Sequence, residues 1–290
     1  MFRNQPIGIF DSGVGGLTVY RALHEKLQNE HFIYLGDTAR VPYGTKSLAT
    51  VERYAIENSQ FLASRGIKLL VVACNTASAL ALPAIRRAVG IDVVGVIGPG
   101  ARKAVAVTEE KYDKPKIGVI ATEATVTSRA YSEAIKKACE TAEIIETACP
   151  LFVPLAEENW LREPETFSIA AKYLQKIIQK NVNALVLGCT HYPILRDVIQ
   201  ETVGADVILI DSGEATAEEV KKLLEEKDLS NENPPKREIA RRLCDDLDHF
   251  YVTDAADRFA RVAEKFLGVK PAKLEAIEIF GADKLVNSES

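Results

Sequence analysis

The sequence predicts an α/β protein of two pseudo-symmetric domains, each a mainly parallel sheet flanked by helices, with a functional cleft between them. Three observations predict it. Short apolar runs alternate with longer amphipathic segments along most of the 290 residues, the pattern of parallel strands covered by helices. Two blocks of the chain resemble each other: IGIFDSGVGGLTV from residue 7 is echoed by IGVIATEATVTS from residue 117. LLVVACNTASALALPAIRRAVGIDVVGV from residue 69 is echoed by ALVLGCTHYPILRDVIQETVGADVILI from residue 184. The two offsets, 110 for the first block and 115 between Cys74 and Cys189 in the second, are close enough to point to one duplicated unit.

Taken in order, IGIF (7–10), FIYLG (32–36), LLVVAC (69–74), DVVGVIG (92–98), IGVIAT (117–122), ALVLGC (184–189) and DVILID (206–211) are continuous apolar runs. They read as strands buried on both faces. Between them LTVYRALHEKL, SLATVERYAIENSQFLASRG and FSIAAKYLQKIIQK carry helical spacing, several ending at Gly or Asn. After residue 211 the helical ATAEEVKKLLEEK is expected to return the chain to the first domain. DLSNENPPKRE (228–238) is expected to be a surface loop, and HFYVTD and LEAIEIF a closing strand pair, with the last residues frayed. The expected division is residues 1–97 with 211–290 as the first, discontinuous domain and 98–210 as the second.

Composition excludes several classes. A net charge of −5 argues against a surface built to neutralise nucleic-acid phosphates or anionic lipid. The most apolar stretch, 68–85, contains Asn75, Thr76, Ser78 and Pro83, so a buried strand leading into a helix explains it better than a membrane span. The opening MFRNQPIGIFDSG reaches an Asp too early for a signal-peptide apolar region, so no targeting is expected. Five cysteines, an odd number without a CxxC pair, fit reduced thiols in the cytosol.

In open parallel sheets, ligands bind beyond the carboxyl ends of the strands, where helix N-termini present unpaired N–H groups. Cys74 and Cys189 both fall at such ends. So do Asp11 and Ser12 after IGIF, and Asn75, Thr76, Thr190 and His191 just after the cysteines. These small polar groups suit the gripping of carboxylate and ammonium. One buried Cys alone reads as a small hydrophobe, as Cys139, Cys149 and Cys244 do. Two at duplicate positions, each with hydroxyl or amide company, read differently. A nucleophilic enzyme needs one thiol, whereas moving a proton from one face of a flat carbanion to the other needs a base on one side and an acid on the other. A thiol of ordinary pKa ~8.5 needs a proton partner; Asp11 is the candidate beside Cys74 and His191 beside Cys189.

Other readings leave gaps. As a dinucleotide-binding turn, DSGVGGLTV lacks its third glycine, Thr18 standing there, and Asp11 would repel a pyrophosphate. Cys189 and His191 find no further His or Cys nearby in sequence to complete a metal set. A single-thiol lyase or hydrolase would not need both cysteines, and a non-enzymatic two-lobed binding module would need neither.

At these residues the chain resembles the glutamate racemases of the cofactor-independent aspartate/glutamate racemase superfamily. FDSGVGGLTV, YLGDTARVPYG, VVACNTASA, VPLAE and GCTHYPIL occur in the family's order. The resemblance implies Cys74 and Cys189 as the two catalytic acid/bases, working without cofactor or metal. It implies that Asp11 and Ser12 contact the substrate amino group, that Tyr43 and Gly44 hold the side-chain carboxylate chiefly through backbone N–H, and that Asn75, Thr76 and Thr190 hold the α-carboxylate. Glu157 and His191 would assist Cys189, and Thr122, at the duplicate of Ser12, would be an extra contact. Aspartate-specific members typically carry Glu where this chain has His191, so glutamate is the expected substrate. The resemblance further implies D-glutamate supply for peptidoglycan, a bacterial cytoplasmic setting and a homodimer. Members regulated by a peptidoglycan precursor carry an added N-terminal segment; with the first strand expected from residue 7, that regulation is not expected here.

Overall fold

The computed structural model describes residues 2–232 and 241–279. Along the chain, β1 (Ile7–Asp11), α1 (Leu17–Lys26), β2 (Phe32–Gly36), α2 (Leu48–Ser64), β3 (Leu69–Val72), α3 (Asn75–Leu80), α4 (Leu82–Ala88) and β4 (Asp92–Gly95) form the first α/β run. A second follows as α5 (Ile97–Glu109), β5 (Lys116–Ala121), α6 (Glu123–Ser128), α7 (Ala130–Ala138), β6 (Glu143–Ala148), α8 (Phe152–Glu158), α9 (Pro164–Gln179), β7 (Ala184–Gly188), α10 (Arg196–Val203) and β8 (Ile208–Asp211). The remainder is α11 (Ser212–Glu226), β9 (His249–Val252), α12 (Ala256–Leu267) and β10 (Leu274–Ala276).

Two sheets result, ordered β10-β9-β2-β1-β3-β4 and β6-β5-β7-β8, and every strand pairing among the described residues is parallel. The order β2-β1-β3-β4 recurs as β6-β5-β7-β8, so the internal sequence echo has a counterpart in topology. In each sheet the strand order reverses between the first and third strands, β1 and β3 or β5 and β7. That reversal opens a crevice at their carboxyl ends. The strands flanking it are the most thoroughly buried: β1, β3 and β7 have no exposed position, which is why they read as unbroken apolar runs. One buried core runs through both halves, joining Ile7, Ile9 and Leu69 to Ile120, Leu185 and Tyr192. α11 packs on α1 and α5, and β9 then pairs with β2, so the chain does return to the first sheet.

Several boundaries depart from expectation, and one strand is absent from it. The runs 69–74 and 184–189 stop being strand at Val72 and Gly188, because pairing with β1 and β5 ends there and the cysteines lie past the sheet edge. The 92–98 run ends at Gly95; Ile97 and Gly98 open α5, where Ile97 is buried against the second sheet. The 206–211 run begins as strand only at Ile208. β6 went unread because it is an edge strand, EIIETA, with a single fully buried position and hence no apolar run. Residues 228–232 carry no helix or strand, as expected of a loop, while 233–238 and the expected frayed end lie outside the described residues.

Candidate active site

Burial of the strand interiors fixes where polar side chains can go: they collect at the carboxyl ends, where the chain leaves the sheet. There a cleft is lined by Ser12, Tyr43, Gly44, Cys74, Asn75, Thr76, Thr122, Glu157, Cys189, Thr190 and His191 among others. Of the residues expected from sequence, only Asp11 does not line it. Asp11 ends β1, is 1% exposed, bears on Cys74 through its charge and itself feels the charge of His191.

The Cys74 side is made by the tips of β1 and β3. Ala73 and Cys74 donate backbone N–H to Phe10 O, bringing the turn after β3 against the end of β1. Cys74 is the N-cap of α3, and its Sγ accepts from the Ala77 N–H at 3.5 Å. The thiol's side-chain partner is the Ser12 hydroxyl, also at 3.5 Å, rather than Asp11. Burial, then the Asp11 charge, push the Cys74 thiol up to about 12, against the Ser12 and Ala77 contacts that favour the thiolate. Burial likewise raises Asp11, opposed by the His191 charge and by N–H donors of the loop. Gly13 N–H reaches Asp11 Oδ2 at 2.9 Å, but Oδ1 is buried without a partner.

The Cys189 side is a relay. Cys189 follows β7; its Sγ lies 3.9 Å from His191 Nδ1, and His191 Nε2 lies 3.2 Å from Glu157 Oε1 at the end of α8. Arg258 on α12 donates to Glu157 Oε2 at 3.0 Å, Lys265 donates to Glu157 O at 3.2 Å, and Phe266 sets its ring edge-on to His191. Burial works against an imidazolium at His191. The Cys189 and Glu157 hydrogen bonds and charges outweigh it and raise the ring to about 10. Glu157 is held below its ordinary value, first by the His191 hydrogen bond.

The halves meet tightly around both sides. A Cβ at Gly15 would lie 2.3 Å from Thr190 Oγ1 and 2.5 Å from the His191 ring, so this glycine serves close approach of protein to protein. Thr18, where the dinucleotide fingerprint would need its third glycine, donates to Thr190 O at 2.8 Å. Thr76 and Thr122 share a hydroxyl contact of 3.0 Å. Tyr43 is buried, and its hydroxyl donates to buried Asp37 and lies in reach of Asn58, so that hydroxyl is already engaged within the first half. The Tyr43 and Gly44 N–H groups begin a 3-10 turn, where no intrahelical acceptor exists.

Arg258, Lys265 and Phe266 were missed because nothing local marks a surface arginine or a helical Phe on a helix 100 residues from Glu157. Val41, Pro42 and Val153 also line the cleft; they sit inside or beside VPYG and VPLAE but carry no polar signal. Among the described residues no group of His, Cys, Asp or Glu could hold a metal ion, and no helix is long and apolar enough to cross a membrane. Among the expected site residues two buried polar atoms are unpartnered, Asn75 Nδ2 on the cleft-lining Asn75 and Oδ1 of Asp11, which does not line the cleft. One can only accept and the other only donate, complementary to ammonium and carboxylate. With a thiol from each half, the arrangement can give and take a proton on either side of a small amino acid.

The Asp/Glu/Hydantoin racemase family model matches residues 7–220. The glutamate racemase of Geobacter metallireducens is 50% identical over 264 residues, 91% of this chain and 93% of that protein. The crystal structure of glutamate racemase isoform RacE1 from Bacillus anthracis superposes with a TM-score of 0.87 at 35% identity, covering 95% of this chain and 98% of that one. That of the Francisella tularensis glutamate racemase in complex with D-glutamate gives 0.85 at 37%, covering 96% and 99%. The chain belongs to the Asp/Glu/Hydantoin racemase family and groups within it among the glutamate racemases.

Proposed function

We propose that the chain interconverts L- and D-glutamate by a two-base proton transfer between Cys74 and Cys189, with no cofactor. The observation that carries this reading is that the two thiols, at equivalent strand ends of two duplicated sheets, line one cleft. Substrate ammonium would sit against Asp11 and Ser12, its α-carboxylate against Asn75, Thr76 and Thr190, and its side-chain carboxylate against the Tyr43 and Gly44 N–H groups, with Thr122 beside them. One thiolate then takes the α-proton, the C–H electron pair moves into the carboxylate-stabilised carbanion, and the opposite thiol delivers its own proton to the other face. Fixed donors on the α-carboxylate stabilise that carbanion without reorganising. Bound ammonium also offsets the Asp11 charge that holds the Cys74 thiol up, so substrate itself poises the base. On the other face His191, supported by Glu157, hands Cys189 a proton and recovers it.

Residues 1–97 with 211–290 and 98–210 act in this reading as the two lobes around the substrate. The product would supply D-glutamate for peptidoglycan in a bacterial cytoplasm, from a homodimer, which sedimentation of the purified chain tests. The activity is tested by circular dichroism of L-glutamate, with L-aspartate in parallel, in deuterated water with chelator and no pyridoxal phosphate. Loss of optical activity for glutamate alone, with deuterium at Cα, is the expected result. Retained optical activity in both samples would reject the substrate and favour a single-thiol lyase.

A further inference from the structure

We propose that Tyr131 is a positioning residue for Asn75, locking the carboxamide so that its Nδ2 faces the substrate carboxylate. The inference rests on the reading of Asn75 as an α-carboxylate ligand. An amide is nearly the same shape either way round, and in a carboxylate site only one orientation binds. What selects it is the hydrogen bond on its far side.

Tyr131 supplies that bond from the other half of the molecule. It stands at the start of α7, wholly buried, and its hydroxyl donates to Asn75 Oδ1 at 2.7 Å. Asn75 is itself buried at the start of α3 and lines the cleft, and its Nδ2 is left without a partner. The oxygen is therefore spent on Tyr131 and the donor pair kept for a ligand. Burial pushes the phenol well above its ordinary value, so it remains a donor at any pH the enzyme meets. The path of the ring explains a second residue. A Cβ at Gly188 would come within 2.9 Å of Tyr131 Cε2 and 2.8 Å of Ile120 O, so the glycine before Cys189 clears the way for the tyrosine. One residue of the second half thus sets a substrate contact made by the first.

The test is steady-state kinetics on full-length Tyr131→Phe, Asn75→Ala, Asn75→Asp and the Tyr131→Phe/Asn75→Ala double variant, with thermal unfolding to confirm that each is folded. Tyr131→Phe keeps the ring and is expected to raise the KM for glutamate about 10-fold, the scale of one hydrogen bond, with kcat changed much less. In the Asn75→Ala background the same change should add nothing, because its effect runs through the amide. Asn75→Asp keeps an acceptor for Tyr131 but presents a carboxylate oxygen to the substrate, and should raise KM at least about 100-fold through desolvated like-charge contact. An Asn75→Asp enzyme with near-normal KM, a silent Tyr131→Phe, or additive effects in the double variant would overturn the inference alone. An Asn75→Ala enzyme with unchanged KM would overturn the carboxylate reading and the inference with it.

Discussion

Cys74 and Cys189 stand past equivalent ends of equivalent strands, yet their surroundings share little. Cys74 caps a helix, contacts a serine hydroxyl and feels a buried aspartate, all from the first half of the chain. Cys189 lies beside a histidine that pairs with a glutamate, and the glutamate is held by Arg258 and Lys265 from a helix far along the sequence. The two halves therefore share the cysteine positions but not the groups packed around them. Under the two-base reading, an acid and a base must differ at any instant even in a reaction that runs equally both ways, and the unlike neighbours would provide that difference.

The comparison breaks most severely at the thiols. Cys74→Ser and Cys189→Ser should each cut racemisation by about 10³-fold, the scale of a positioned acid/base, measured by circular dichroism in both directions. A near-normal rate in either variant would mean that one face needs no thiol, and the two-base reading would fail.

Glu157→Gln tests the side of the pair that has a relay. Without the carboxylate, His191 loses much of what raises it, so the alkaline limb of kcat/KM should move to lower pH, with turnover down about 10-fold. Stability should respond as well. His191 is raised from 6.5 to about 10, so its contribution is fully present below about 6.5 and is lost as pH rises through about 10. Glu157 is lowered from 4.5, so its contribution is present above that value and is lost as pH falls through the lowered one. Chemical denaturation between pH 7 and 10.5 should show a falling stability that is flatter in Glu157→Gln. An unmoved alkaline limb would show that the relay does not govern Cys189.

The smallest effect is expected at Arg258. Its side chain is 63% exposed, and such ion pairs contribute about 0.2–1 kcal/mol, so Arg258→Ala should shift the His191-dependent limb slightly and cost less than about fivefold in kcat/KM. A loss matching that of Glu157→Gln would show that α12 is needed to seat the glutamate at all.

Much of this was legible in the sequence for definite reasons. Strands buried on both faces must be apolar throughout, so β1, β3, β5 and β7 announced themselves, and the polar residues just past them marked the sheet ends. β6 obeys no such constraint at the sheet edge and was silent. Motif resemblance brought in Glu157 and Tyr43, but not that Asp37 claims the Tyr43 hydroxyl.

The chain's pattern by itself determined the α/β class, the duplication and the pair of cysteines, because burial, period and repetition are local properties that a linear string carries. Only the tertiary structure decided which polar atoms stay unpartnered, that Ser12 rather than Asp11 touches the Cys74 thiol, and that Tyr131 and Arg258 reach across to Asn75 and Glu157. Those choices depend on side chains meeting from distant segments, and the hydrogen bonds and charges they exchange exist only once the two halves have packed.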